Sequence, residues 1–380
     1  MRARMITHGI GCTLAGLMWA ALVPAATLST VLSFDGANGS APVGALVAGA
    51  DGSLYGTTSG GGTGGGAQPF SGAGTVFKAT SGGVLTTLYK FDGRTAAQPV
   101  PGVVAGRDGN FYGIAVRGGP SQMGIAYRVT PAGSFTTLAA FTGSNGALPT
   151  SALVMHRDGN FYGTTVAGGA SNAGTLFRLS PSGTLTSLAT FGGVKGSKPA
   201  QLVIGPDGSL YGTTLKGGSA NQGIIFRATT AGAITTIASF NFAGGDGDHY
   251  TTLSVEPDGS LYGAAMWGGS AGKGCIYKVT AGQIKVLSSF TGANGEGPDT
   301  RLTRLSDGNF YGTTTGGGAN GKGTVFKVSP AGVITTIVSF AGPDGMEPYG
   351  PVIQLGKDLY GTTQLGGAHG RGTIFRVGLN

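Results

Sequence analysis

The sequence predicts an all-β chain, a seven-bladed β-propeller with four-stranded blades and a ring closed by its N-terminal strand. Three observations carry this reading. First, a D-G-x-[LF]-Y-G pattern recurs with its tyrosine at Tyr55, Tyr112, Tyr162, Tyr211, Tyr262 and Tyr311, and its [LF]-Y-G end recurs at Tyr360, at spacings of 57, 50, 49, 51, 49 and 49 residues. A period of that length makes each copy one supersecondary unit of a solenoid or a propeller. Second, most copies finish with a strand such as 334–340 (ITTIVSF), whereas the seventh runs out at 372–377 without one. Residues 28–34 (LSTVLSF) supply the missing piece. A linear solenoid has no use for such a permuted end; a closed ring does, because the strand completes the last blade and removes an exposed edge. Third, the apolar residues alternate with period two, and no stretch after residue 25 shows a helical period.

In chain order, residues 1–25 read as a secretory signal, with Arg2 and Arg4 ahead of the apolar segment 10–23 and small residues at Val23-Pro24-Ala25. That apolar segment is short for a membrane span, and none is expected in the mature chain. The propeller then occupies 26–380. The third copy shows the blade anatomy. A first, innermost strand at 150–157 meets the Asp158-Gly159 turn and leads into a second at 160–165. A glycine-rich loop follows, then a third strand at 174–180, a Pro181-Ser182-Gly183 turn and a fourth strand at 184–191. Asp-Gly between apolar runs is a strong hairpin signal because glycine supplies the positive φ of a tight turn. Phe141, Phe191, Phe240, Phe290 and Phe340 close the fourth strands, and Tyr127, Phe177, Phe226, Tyr277 and Phe326 lie in the third strands. These aromatics are expected to pack blade against blade. The 77 glycines have no three-residue period, which excludes a collagen-like chain and assigns them to turns and close approaches.

Loss of Cys12 with the signal leaves Cys275 alone, so no intramolecular disulfide is expected. Removal of Arg2 and Arg4 lowers the formal charge from +8 to +6, a mild bias toward anionic partners. There is no basic run or aromatic stacking motif of the kind nucleic-acid binders use.

The units D-G-x-[LF]-Y-G-T-T, then G-G, then G-T-x-F-[RK] resemble the Gloeo/Verruco (GloVer) tandem repeat of the bacterial choice-of-anchor GloVer-containing proteins. The match is clear in 158–165 with Gly168, Gly169 and 174–178, and again in 307–314 with 323–327. The resemblance implies an exported repeat protein, often tethered through a C-terminal sorting segment, and assigns no activity to any residue. The sequence ends at Asn380 without such a segment, so a secreted or periplasmic monomer is the expectation.

No G-x-S-x-G, H-E-x-x-H, Walker loop or Cys/His metal spacing is present, and no cofactor or metal is expected. One carboxylate per Asp-Gly turn is too few for calcium. With no helix to follow them, the Gly-Gly segments are poor phosphate cradles.

Comparison of the copies with one another is more informative. A proline stands eight residues after the fourth-strand phenylalanine at Pro42, Pro99, Pro149, Pro199, Pro298 and Pro348. The fifth copy has nine residues from Phe240 to His249, with Asp246 and Asp248 in the same loop. It also carries Ala264-Ala265 in place of Thr-Thr, and Trp267 before its Gly-Gly. The residue after the proline position is Val43, Val100, Thr150 and Ala200 in blades one to four, but Tyr250, Asp299 and Tyr349 in blades five to seven, with Arg301 nearby. His249, Tyr250, Trp267, Asp299, Arg301 and Tyr349 are therefore expected to edge one depression on the loop face. His156 and His369 stand alone.

An exported propeller that binds an extracellular glycan or another envelope component fits this pattern, since aromatic rims suit sugar rings. A lyase acting on uronic-acid polymers is the catalytic alternative. It would use Arg301 to neutralise the carboxylate, His249 as base, Tyr250 or Tyr349 as acid, and Asp299 to orient a partner. A protein-interaction scaffold engaging an envelope protein is the third reading.

Overall fold

Seven four-stranded antiparallel sheets follow one another in the computed structural model, which describes residues 26–63, 68, 70–100, 102–242 and 251–379. The expected export segment, 1–25, lies outside the described residues. In blade three the strands are Val154–Met155, Phe161–Thr165, Thr175–Leu179 and Leu185–Thr190, paired in sequence order. The only helical turn among the described residues is a short 3-10 segment, Gly193–Lys195.

The recurring Asp-Gly block is a self-contained hairpin lock. Asp158 accepts the backbone N–H of Asn160 at 2.8 Å and the Tyr162 hydroxyl at 2.7 Å. Gly159 between them sits at φ +85° with no atom near its missing Cβ, so the backbone conformation alone calls for glycine. The same tyrosine-to-aspartate bond recurs from Tyr55 to Asp51 at 3.0 Å, Tyr112 to Asp108 at 2.9 Å and Tyr311 to Asp307 at 2.9 Å. Blade seven departs from the pattern. Its hairpin is shorter, with Leu355 paired to Asp358 across Gly356 and Lys357.

The innermost strand is shorter than the expected 150–157, and the reason is local chemistry. The Thr164 N–H donates to the Ser151 hydroxyl at 3.0 Å instead of to a backbone carbonyl, which ends the regular ladder. Blade six does the same, with the Thr313 N–H donating to Thr300 Oγ1 at 3.1 Å.

Ring closure is as expected. Thr27–Ser33 is the outer strand of blade seven, antiparallel to Thr373–Gly378, with Thr27 opposite Gly378 and Ser33 opposite Thr373. At each blade boundary the aromatic after the outer strand packs edge-on against the third strand of the next blade. Phe141 meets Phe177 at 5.1 Å and 68°, Phe191 meets Phe226 at 5.1 Å and 65°, and Phe340 meets Phe375 at 5.0 Å and 70°. The closing boundary has the same geometry, Phe34 against Phe77 at 5.2 Å and 62°. Such pairs add about 0.5–1.5 kcal/mol beyond their buried area. The repeated prolines belong to this joint as well. A Cβ on Gly174 would meet the Pro199 ring at 2.6 Å, and one on Gly372 would meet Pro42 at 2.6 Å, so each glycine leaves room for the next blade's proline.

Candidate functional site

The innermost strands are two or three residues long in every blade but the fourth, where Ser197–Ile204 runs for eight, and those of blades one to five touch in succession. Side-chain hydroxyls tie them together. Ser254 Oγ donates to the Leu302 carbonyl at 2.8 Å, and Thr303 Oγ1 donates to the Val352 carbonyl at 2.6 Å. Before the short strands of blades one, three, six and seven the chain alternates, whereas residues 251–254 of blade five are all buried. Pro298, Thr300 and Leu302 are buried in blade packing, while Asp299 between them is partly accessible and Arg301 is exposed. Blade seven follows suit, with Pro348, Gly350 and Val352 buried and Tyr349 and Pro351 partly accessible. The accessible set lies on the side turned away from the packing, toward the axis. Val43, Thr150 and Ala200 hold the corresponding accessible positions in blades one, three and four.

Asp299 and Arg301 differ from every other described residue on this wall. Burial pushes the Asp299 carboxyl up to about 7, and burial also lowers the Arg301 guanidinium. Both side chains are at least partly accessible, yet protein crowds them on most sides. Neither has an ion pair or side-chain hydrogen bond among the described residues. The desolvation of both groups is thus not offset by a partner within the described protein.

Other members of the expected depression are less closely assembled. His249 and Tyr250, with Asp246 and Asp248, lie outside the described residues. The segment before them is anchored. Phe242 is buried, its N–H donates to Gln222 Oε1 at 2.6 Å, and Gln222 Nε2 donates back to the Phe242 carbonyl at 3.1 Å. Trp267 is exposed, with 45% of its surface open. It shares the loop face with Asp299, since the neighbouring Met266 side chain approaches Gly297 to 3.7 Å of that glycine's ideal Cβ position. Tyr349 is half-buried one blade further on. No side-chain contact joins Trp267, Asp299 and Arg301 among the described residues.

One of blade five's departures turns out to be repacking. In blades one, three, six and seven the second threonine of the pair bonds a third-strand threonine, as in Thr165 with Thr175 at 2.9 Å and Thr314 with Thr324 at 2.8 Å. In blade five Ala265 faces Cys275 instead, an apolar pair in which burial pushes the thiol up to about 12. The first threonine normally bonds across to the next blade, as Thr213 does to the Thr251 carbonyl at 2.9 Å. Ala264 cannot, and Thr252 takes over, donating to the Thr300 carbonyl at 3.1 Å.

The sequence reading missed a feature on the opposite, hairpin face. A cavity of about 400 Å³ lies across the inner hairpins of blades two to four, well away from Asp299, and is lined in part by Arg107, His156 and Arg157. His156 does not stand alone. It is 5% exposed, its Nδ1 accepts the Asp158 N–H at 3.2 Å, and its Nε2 lies 3.1 Å from the Gly208 carbonyl. The available signal was arginine before Asp-Gly in two consecutive copies, where other copies have Ala50, Pro206, Pro257 and Ser306.

Among the described residues no three His, Cys, Asp or Glu are grouped to hold a metal ion, and no helix is long and apolar enough to cross a membrane. Several solved structures share the fold. A streptogramin B lyase superposes with a TM-score of 0.61 at 16% identity, over 93% of this chain and 98% of that one. A protein from Bacteroides fragilis described as a 6-phosphogluconolactonase gives 0.53 at 17% identity, over 81% and 86%. A puromycin-hydrolysing peptidase from Mycobacterium tuberculosis gives 0.53 at 12% identity, over 84% of this chain and 48% of that one. At these identities the likeness is one of fold alone. No curated protein matches the chain. The sequence model of the Gloeobacter/Verrucomicrobia repeat matches residues 64–256 and 240–380, and the chain belongs to that family.

Proposed function

We propose that the protein is an exported binding module that takes an acidic extracellular glycan at the loop-face mouth of its central channel. The observation that carries this reading is the unpartnered Asp299 and Arg301 on a wall otherwise lined, in blades one to four, by Val43, Val100, Thr150 and Ala200. A sugar acid offers both complements. Its carboxylate suits the fixed fork of Arg301, and its hydroxyls suit Asp299 in either protonation state. Tyr349 and Trp267 would supply flat apolar surface for the ring faces, with His249 and Tyr250 completing the rim. A thermal-shift screen of the mature protein against polyuronates, neutral glucans and chitin-type polymers tests it, since a ligand of the folded ring raises apparent stability. Stabilisation by polyuronates over the neutral polymers is the expected result. Stabilisation by none of them overturns the proposal and leaves the envelope-protein scaffold as the reading.

One observation favours a catalytic variant. A carboxyl titrating near 7 is matched to proton transfer at neutral pH, which suggests Asp299, beside or in place of His249, as the base for a β-elimination on a uronic-acid polymer. The base would take the proton α to the carboxylate held by Arg301. The glycosidic C–O bond would break as the new C=C forms, and Tyr250 or Tyr349 would protonate the leaving oxygen. Unsaturated chain ends absorb in the ultraviolet, so a steady absorbance rise with polyuronate supports elimination, and a flat trace removes it.

A further inference from the structure

We infer that the hairpin-face cavity between blades two and four is a second binding site, selective for a small ligand bearing a carboxylate, sulfate or phosphate group. Two guanidinium groups line it without a counter-ion. Lys78, Arg227, Lys273, Arg304 and Arg376 each have a carboxylate oxygen within 4 Å, whereas Arg107 and Arg157 have none among the described residues. The acids closest in sequence are already engaged: Asp108 by Tyr112 and Asn110, and Asp158 by Tyr162 and Asn160.

The two arginines are also held in place. Arg107 Nη2 donates to the Arg157 carbonyl at 2.7 Å, and Arg157 Nη2 donates to the Asp207 carbonyl at 3.4 Å, so each reaches from its own hairpin onto the next blade. One N–H of each guanidinium is used in this way, and the others remain for a ligand. Gly208 is what lets Arg157 lie flat there, because a Cβ at that position would come within 2.5 Å of its Nη2. His156 bridges to the same glycine through the Gly208 carbonyl, at 3.1 Å from Nε2, and stiffens the wall. Met155, Ile204 and Pro206 give the cavity an apolar side, and its volume of about 400 Å³ falls within the range of small-molecule sites. An anion with a compact organic body fits this combination better than a bare ion. None of it depends on the channel mouth on the other face.

The test titrates the full mature chain with sodium sulfate, sodium phosphate or sodium glucuronate, ionic strength being held constant with sodium chloride, and follows melting temperature and calorimetric heat. At least one anion should stabilise the wild type saturably, and which one does so identifies the source of the charge. The doubly substituted Arg107→Gln/Arg157→Gln protein should bind it at least tenfold more weakly. Arg376→Gln, which removes an exposed ion pair on blade seven, should respond to each anion as the wild type does. Should the glutamine pair fail to fold, Arg107→Lys/Arg157→Lys keeps the charge but loses the fork, and a several-fold weakening is expected. A response equal to the wild type's from Arg107→Gln/Arg157→Gln or from Arg107→Lys/Arg157→Lys, or no saturable response to any of the three anions, overturns the site.

Discussion

The joints between blades and the inner wall of the ring follow opposite rules. At the joints the same parts recur: an aromatic after each outer strand set edge-on against the next blade, and a proline ring over a glycine that opens a third strand. Even the closing joint repeats them, although its partners, Phe34 and Phe77, belong to blades that meet only when the ring shuts. The channel wall keeps the backbone of each blade and changes the side chain, from Val43 and Thr150 to Asp299 and Tyr349. Positions that a small or apolar residue satisfies elsewhere do not need a carboxyl or a guanidinium for folding. Repetition thus marks the scaffold, and its interruption marks where the molecule is free to recognise something.

Deleting 28–34 should break the joints most severely. Blade seven would lose its outer strand and expose the edge of Thr373–Gly378, and the melting transition should fall by well over ten degrees or lose its cooperativity in calorimetry. A truncated chain melting within a degree or two of the full one would contradict closure by that strand. Next in size is Phe191→Ala, which removes a fully packed ring from the boundary of blades three and four and should cost about 3–5 kcal/mol in denaturant unfolding. Gly159→Val should cost less, about 1–3 kcal/mol, because no atom crowds the new side chain and only the positive φ opposes it.

The wall should respond differently. Asp299 has its folded pKa raised, so the folded state binds more protons than the unfolded one and stability falls as pH rises from about 4 through about 7. Asp299→Asn removes that loss. It should match the wild type in melting temperature near pH 4 and exceed it at pH 8, by about 1–2 kcal/mol at most because water reaches the channel. Identical pH profiles for the two proteins would show that the carboxyl is not crowded in the way described.

The fold was almost wholly legible because its information is local and repeated seven times. The Asp-Gly block announces the hairpin, and the permuted ends announce the ring. What was misjudged at the joints was mechanism. The extent of the inner strand hung on whether Ser151 or a carbonyl would accept the Thr164 N–H, and the departure at Ala264-Ala265 is a packing change that Thr252 and Cys275 compensate. The candidate site was legible as an inequality between copies, which identified Asp299 and Arg301 but could not say whether they pair. The arginine cavity escaped notice because its members come from three different copies, and neither Arg107 nor Arg157 stands out until the blades lie side by side.

The most direct test of the central claim is retention on immobilised polyuronate, measured for the wild type and for Asp299→Asn/Arg301→Gln at a pH where both have the same melting temperature. Loss of at least tenfold in retention by the variant, with its ring intact, is the result this account predicts. Equal retention by the two proteins would mean that the charged interruption of the channel wall recognises no acidic glycan.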